Sequence, residues 1–245
     1  IPNLTGRSTY FPKLSMVQIS TFDKIFLVDC LQTNPNEILK KHLENKEILK
    51  IFHSARSDAT VLSNCVNAQT SNVFDIQVAE KLISNSQIEA YGKIVDKYYG
   101  IKLQKSETNS NWLKRPLSEN QIRYAKEDVN YLIEIYKLQR KILKKRNLLK
   151  EAFKNSKKEV IFGNKSLKEV RLKKKEKKFS NKVKKIFIWR EELAEAKNLP
   201  PSFIFKDKYL NQLSKINTKD IGIKKKIMTI IGDSDLTQKF IQDLL

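Results

Sequence analysis

Three shortages narrow the kinds of protein that this chain can be. It has only two cysteines, Cys30 and Cys65, in no metal-binding spacing. That argues against a disulfide scaffold or a zinc finger and fits a reducing cytoplasm. No apolar run reaches the length of a membrane-spanning helix, and no signal peptide is visible. We therefore expect a cytoplasmic protein with no membrane partner.

Acidic residues are also scarce relative to basic ones. The chain has 48 Lys and Arg against 27 Asp and Glu, a formal net charge of +21. Residues 140–190 alone hold 21 Lys and Arg against 4 Asp and Glu, so most of the excess lies in one stretch. The charge indicates a polyanionic partner, most simply nucleic acid. Because the excess is mostly Lys alongside much Ile and Asn, compositional bias from an AT-rich genome is the alternative.

The order of predicted elements describes a mixed-sheet α/β domain followed by a small helical one. A hydrophobic fraction of 40% is enough for a core. Alternating and buried apolar runs predict strands at 15–20, 24–30, 48–53 and 72–75, the first two forming a hairpin. Helices are predicted at 36–44, 58–67, 78–84, 87–99 and 118–145. Residues 150–183 are interpreted as a basic, partly helical linker, with helices at 184–196, 206–213, 221–231 and 236–244 beyond it.

One predicted helix presents a phenol and a carboxylate together. Ser118 and Gln121 have the spacing of a capping box, so a helix is expected to start there. Tyr124 and Asp128 then lie one turn apart on the same face. Such a pair can orient a water molecule and hold a divalent metal, although this spacing alone is a weak motif.

Other candidate residues have an ordinary structural interpretation beside the functional one. Asp58 follows a buried strand, where α/β folds place their sites, but an Asp near a helix N-terminus is also common. His53 and Arg115 are candidates for substrate contact, and a His at a strand end is more often simply hydrogen-bonded. Trp112 suits base stacking, with packing the favoured alternative. Asp75 is predicted to cap the following helix.

Taken together, these stretches resemble ribonuclease D, a DEDD-type 3′→5′ exonuclease family of the tyrosine subtype. The resemblance covers roughly residues 5–145. The matching segments are R-S-T-Y-F-P-K-L from Arg7, H-S-A-R-S-D from His53, V-F-D-I-Q from Val73, K-S-E-T-N-S-N-W-L-K-R-P-L from Lys105 and Y-A-K-E-D-V-N-Y-L from Tyr124. I-W-R-E-E-L-A from Ile188 with the later Pro-Pro break resembles an HRDC domain.

The resemblance implies both a fold and a chemistry. The fold is a ribonuclease H-like exonuclease domain over residues 1–147, a basic linker over 148–183 and an all-helical HRDC-like domain over 184–245. The chemistry is two-metal hydrolysis, with two Mg²⁺ or Mn²⁺ ions about 4 Å apart and no small-molecule cofactor. Asp58 and Asp128 match the metal ligands of the second and third motifs. Tyr124 matches the residue that hydrogen-bonds the attacking water.

The sequence departs from the family at the first motif, which is Asp-x-Glu on the first strand. The matching positions hold Ile1 and Asn3, which supply no carboxylate. In this fold the first strand lies in the middle of the sheet, so its loss is expected to leave a gap or a displaced sheet. The chain also starts without an initiator methionine, and we interpret it as a truncated or degraded copy.

Two functions are therefore expected to compete. The first is a metal-dependent 3′→5′ exoribonuclease that trims single-stranded RNA 3′ ends, such as those of tRNA precursors, with this chain impaired. The second is a non-catalytic RNA-binding protein that uses the basic run from Lys141 to Lys185 and the HRDC-like domain. That basic run is either a track for phosphates or a solvated linker.

Overall fold

The computed structural model describes residues 8–85, 87–104, 106–217, 219 and 221–245. Within it the chain divides into two compact units. The first is Pro12–Lys165, and the second is Ser166–Leu245 together with residues 8–11. The positions of Ile1 and Asn3 lie outside the described residues. In the described part of the chain, no helix is both long and apolar enough to cross a membrane.

The first unit contains four short strands in two separate pairs. Strands β1 (Met16–Ser20) and β2 (Ile25–Asp29) form the expected antiparallel hairpin, with Val17 opposite Val28. Strands β3 (Lys50–Phe52) and β4 (Val73–Asp75) pair in parallel. Among the described residues no ladder joins the two pairs. Two strand pairs without a common ladder agree with the gap that the mismatch at the first motif predicts.

Seven helices pack with these strands in the described part of the first unit. They are α1 (Asn36–Glu44), α2 (Ala55–Cys65), α3 (Ile76–Ser84), α4 (Tyr91–Tyr99), α5 (Glu119–Asn130), α6 (Leu132–Lys145) and α7 (Leu149–Gly163). Helix α1 has the predicted bounds. Helix α4 starts later than predicted and ends at Tyr99, as predicted. Its C-cap is Gly100, which has the left-handed conformation (φ 67°) expected of a glycine at this position.

The predicted continuous helix over 118–145 is wrong, because it is broken at Tyr131. In an α-helix the N–H of Tyr131 would donate to the carbonyl of Glu127. Instead the hydroxyl of Tyr91, from α4, lies between them. It accepts from the Tyr131 N–H at 3.3 Å and donates to the Glu127 carbonyl at 3.3 Å. A side chain inserted into the hydrogen-bond ladder breaks a helix, and nothing in the local sequence marks that event.

The stretch interpreted as a linker is more ordered than the sequence suggests. Its first half forms α7, which buries Ala152, Ser156, Val160 and Gly163 against the rest of the first unit. The buried side chains of α7 are small, and lysines lie between them in the sequence. The hydrophobic pattern of α7 is therefore weak even though the helix is packed.

The second unit is all-helical. Its helices are α8 (Leu167–Lys173), α9 (Asn181–Ala196), α10 (Pro201–Ile204), α11 (Leu210–Ser214), α12 (Ile223–Ile231) and α13 (Ser234–Leu244), with 3-10 turns at Glu176–Lys178 and Asp207–Tyr209. Its core centres on Phe187, Trp189 and Phe240 and includes the fully buried Tyr10. Backbone N–H groups of Tyr10 and Phe11 both donate to the Asn198 side chain at 3.2 Å. Residues 8–11 are therefore part of the second unit, whereas Pro12 and the residues up to β1 belong to the first.

Candidate active site

Helix α5 begins with the capping box that the sequence predicts. The Ser118 hydroxyl accepts from the Gln121 N–H at 3.2 Å, and the Ser118 N–H donates to the Gln121 side chain at 3.0 Å. The buried Gln121 amide also donates to the Ser110 hydroxyl at 3.0 Å. The cap therefore fixes the start of α5 and ties it to the connector before it.

Tyr124 is held from the side of that connector. Its ring lies 6.0 Å from the ring of Trp112, and its hydroxyl is 3.3 Å from the hydroxyl of Thr108. Burial raises the pKa of the Tyr124 phenol, and the negative charges of Asp128 and Glu127 raise it further, while the bond to Thr108 opposes them. The phenol is thus protonated at neutral pH and suits the orientation of a water molecule rather than its deprotonation.

Asp58 lies in the first turns of α2, whose start is anchored by the second pair of strands. The Asp75 carboxylate, at the end of β4, accepts from the N–H groups of Ser54 at 3.1 Å and Ala55 at 2.8 Å. It also accepts from the Gln77 N–H at 2.9 Å, which confirms Asp75 as the N-cap of α3. One buried carboxylate therefore fixes the N-termini of both helices.

Helix α7 fixes α2 from the other side, a contact that the sequence did not predict. A Cβ built on Gly163 would lie 2.4 Å from the Arg56 carbonyl oxygen, so the two helices touch without a side chain between them. The Thr60 hydroxyl donates to the Gly163 carbonyl at 2.9 Å, and the Arg56 guanidinium pairs with Glu159 at 2.6 Å. In the sequence, the feature that could have indicated this contact is Gly163, a glycine in a lysine-rich stretch.

The structure brings Asp58 and Asp128 close enough for their charges to interact. Burial raises the pKa of Asp128 to about 6, and the negative charges of Glu127 and Asp58 contribute to the rise. A buried carboxylate whose pKa is raised further by neighbouring negative charges is a group that a hard divalent cation stabilises. Tyr124, Asp128 and Asp58, all named from the sequence, thus belong to one region of the first unit.

The donor set fits one divalent ion better than two. Carboxylate oxygens are the ligands that Mg²⁺ and Mn²⁺ take, and Asp58 and Asp128 supply them. Within the described residues, however, no three His, Cys, Asp or Glu side chains gather as a metal-binding group. A site for two ions requires further carboxylates beside this pair.

The three residues suggested for nucleic-acid contact are all engaged inside the first unit. His53 Nε2 lies 3.0 Å from the Glu89 carbonyl and 3.2 Å from the Gln77 amide nitrogen. Trp112 is 3% exposed and donates to the Glu107 carbonyl at 3.1 Å. The Arg115 guanidinium pairs through two nitrogens with Asp29, at 2.5 and 2.8 Å. The contacts of His53 and Trp112 correspond to their structural interpretations, and RNA contact by the three residues stays a prediction.

Comparison with known proteins assigns the two units to families. The model described as 3′-5′ exonuclease matches residues 4–144, and the model of the HRDC domain matches residues 181–227. Ribonuclease D of Bartonella henselae is 30% identical over 234 residues, which cover 91% of this chain and 57% of that protein. Ribonuclease D of Xanthomonas oryzae pv. oryzae is 37% identical over 128 residues, covering 52% of this chain and 35% of that protein. The match therefore covers 57% of the length of one of these relatives and 35% of the other, which is less than two thirds in both cases.

Solved structures show the same fold. The crystal structure of Escherichia coli RNase D, described as an exoribonuclease involved in structured RNA processing, superposes with a TM-score of 0.75. The two sequences are 21% identical, and the superposition covers 97% of this chain and 67% of the E. coli chain. It therefore shows the fold. Brucella melitensis NrnC with bound Mg²⁺ superposes with a TM-score of 0.54 at 25% identity, over 63% of this chain and 80% of its own. Because the exonuclease model matches more than half of the sequence and the HRDC model follows it, this chain belongs to the 3′-5′ exonuclease family, with a ribonuclease D-like exonuclease domain and a C-terminal HRDC domain.

Proposed function

We propose that this chain is a ribonuclease D-type 3′→5′ exoribonuclease, with RNA 3′ ends such as those of tRNA precursors as substrate, whose hydrolytic activity is impaired. The observation that supports it is the approach of Asp58 and Asp128, whose charges interact, beside the oriented Tyr124. Divalent ions held by carboxylates in such sites activate a water molecule and stabilise the leaving oxygen.

Each of the three residues has a distinct role in this proposal. Asp58 and Asp128 hold one Mg²⁺ or Mn²⁺ through their carboxylate oxygens. Tyr124 remains protonated and hydrogen-bonds the water, so that the water lies in line with the scissile phosphate. The impairment follows from the first motif, since Ile1 and Asn3 occupy the positions of its two carboxylates.

Two measurements test this function. In the first, Mn²⁺ is titrated calorimetrically into the wild type and into Asp58→Asn and Asp128→Asn variants. We expect weak binding of one ion by the wild type and its loss in both variants. Equal heats from all three proteins would contradict the assignment of the ligands.

The second measurement follows the trimming of a 5′-labelled single-stranded RNA with Mg²⁺ or Mn²⁺. We expect little or no shortening by the wild-type chain. Robust trimming that is abolished by Asp128→Ala would refute the impairment while supporting the exonuclease itself.

A non-catalytic RNA-binding function is the second candidate. It is favoured by the exposed lysines of α6, α7 and α12, which have few acidic neighbours. RNA affinity that is unchanged by Asp128→Asn and falls steeply with salt would support it. Affinity that is independent of salt would count against it.

A further inference from the structure

The tip of the β1–β2 hairpin holds an aromatic side chain out in solvent. Phe22 is 84% exposed. The turn around it is closed by the Thr21 N–H donating to the Lys24 carbonyl at 2.8 Å and by the Thr21 hydroxyl donating to Asp23 at 2.9 Å. Backbone and polar side chains thus make the turn, and packing does not explain why an aromatic side chain stands at its tip.

Beside this ring lies a row of cations on α6. The ammonium of Lys137 is 5.2 Å from the centre of the Phe22 ring. Three more cations lie further along the helix: Arg140 and Lys141, three and four residues after Lys137, and Lys144, three residues after Lys141. This spacing places all four on one face of the helix. All four are exposed. Lys137 pairs with Glu134 at 2.6 Å, whereas the other three have no ion pair within the described parts of the chain.

We propose that Phe22 and this face of α6 bind single-stranded RNA, with a base stacked on Phe22 and the backbone phosphates on Arg140, Lys141 and Lys144. Exposed aromatic rings next to a positive track are the pattern by which proteins hold single strands without reading their sequence. We call this the Phe22–α6 surface. It rests on the proposed function, because it names how the RNA substrate is held outside the site.

Its position suits a strand that continues away from the candidate site. Helix α6 follows α5 after the single residue Tyr131. Lys137 is nine residues beyond Asp128 in the chain, on the far side of the break at Tyr131. The cations then extend the surface by a further two turns. A protein partner is a poorer fit, since protein interfaces are depleted in Lys at their centres, and this face presents four cations around one aromatic ring.

Binding is measured by fluorescence anisotropy on the full 245-residue chain in EDTA, so that hydrolysis does not contribute. The probe is a fluorescein-labelled, unstructured RNA of about 12 nucleotides, within the range that such surfaces cover. We expect Phe22→Ala to weaken binding by about tenfold, because one stacked base is lost. Phe22→Trp restores the aromatic face and is expected to bind within a few-fold of the wild type.

The cations are tested by the double variant Lys141→Gln/Lys144→Gln. Its matched control is Lys41→Gln/Lys46→Gln, which removes two equally exposed charges at α1. We expect the slope of log affinity against log salt to fall by about 1.4 in the first variant, for two phosphate contacts to a single strand. The control is expected to keep the wild-type slope.

Several outcomes would overturn the proposal. One is Phe22→Ala binding as the wild type; another is the two lysine pairs having the same effect. A concentration-dependent dimer that Phe22→Ala abolishes without a change in RNA affinity would instead identify a protein contact. Since Phe22 is exposed, unchanged thermal unfolding confirms that each variant is folded. Loss of Mn²⁺ binding by Asp128→Asn leaves these EDTA measurements unaffected, so the two proposals fail separately.

Discussion

Helices α2 and α5 each bring one carboxylate to the candidate site, but they are held in place by opposite kinds of contact. Helix α5 is fixed within its own first turn by Ser118 and Gln121. Helix α2 has no side-chain cap of its own and starts from Ser54 in the left-handed region, at φ 67°. Its N–H groups are taken by Asp75, some twenty residues later.

The difference shows how far the position of one site residue can depend on distant sequence. Asp58 is located by Asp75 and by Gly163 of α7, which lies beyond residues 4–144 of the exonuclease match. Asp128 is located by a helix whose start is capped locally and whose end, at Glu127 and Tyr131, is bonded by the Tyr91 hydroxyl of α4. Variants at distant positions are therefore expected to disturb the Asp58 half of the site most.

The largest effect is expected from Asp75→Ala. It leaves the N–H groups of Ser54, Ala55 and Gln77 without their acceptor in a buried place, at a cost of about 3 kcal/mol or more in the free energy of unfolding. Urea denaturation measures the loss, and amide exchange should quicken first at the start of α2. Asp75→Asn keeps one carbonyl acceptor and should lose clearly less. Equal stability of Asp75→Ala and the wild type would refute the anchoring role.

Gly163→Ala is expected to cost somewhat less, about 1–3 kcal/mol, since a methyl group must force α7 away from α2. The new Cβ would lie 2.4 Å from the Arg56 carbonyl oxygen and 2.8 Å from the Ala59 Cβ. The matched control is Gly92→Ala in α4, where the nearest atom is Leu103 Cβ at 3.8 Å. Because alanine favours a helix over glycine, the control should be neutral or stabilising.

The same pair of variants distinguishes positioning from stability. If α7 holds Asp58 in place, Gly163→Ala should weaken Mn²⁺ binding at temperatures where the protein remains folded. Gly92→Ala should leave that affinity unchanged. Weakened stability with unaltered Mn²⁺ affinity would show that α7 supports the unit without positioning the ligand.

How much the sequence predicts follows the same division between local and distant contacts. The hairpin, α1 and the start of α5 are encoded by alternation, caps and turn residues within a few positions, and their prediction is confirmed. Tyr124, Asp128 and Asp58 emerge from motif resemblance, and the structure brings them into one region. The separation of the two strand pairs agrees with the gap expected from the mismatch at Ile1 and Asn3.

What could not be predicted depends on contacts between residues far apart in sequence. The break at Tyr131 requires the Tyr91 hydroxyl from another helix. The packing of α7 requires a glycine against the backbone of α2, although its sequence resembles a basic linker. The guanidinium of Arg115, a residue predicted to contact RNA, is bound by Asp29, 86 residues earlier in the chain. A local sequence pattern does not indicate partners that lie so far away in the chain.

A smaller effect is expected from Ser118→Ala, which removes the local cap of α5. Loss of an N-cap hydroxyl costs about 1 kcal/mol, and urea denaturation should show a decrease of that order. Ser118→Asp keeps an acceptor at the same position and should recover most of the loss. If the alanine variant instead lost as much stability as Asp75→Ala, the contrast between the two helices would not hold.

The smallest effect is expected from Glu159→Gln, which removes the charge that pairs with Arg56 between α7 and α2. The two side chains are 29% and 40% exposed, so solvent screens the pair and the loss should be about 0.5 kcal/mol. Arg56 retains its position 4.4 Å above the Phe162 ring, which limits the loss further. The difference from the wild type should shrink in high salt, unlike that of Gly163→Ala, which is steric. A salt-independent loss as large as that of Gly163→Ala would mean that charge, and not the close backbone approach at Gly163, fixes α2.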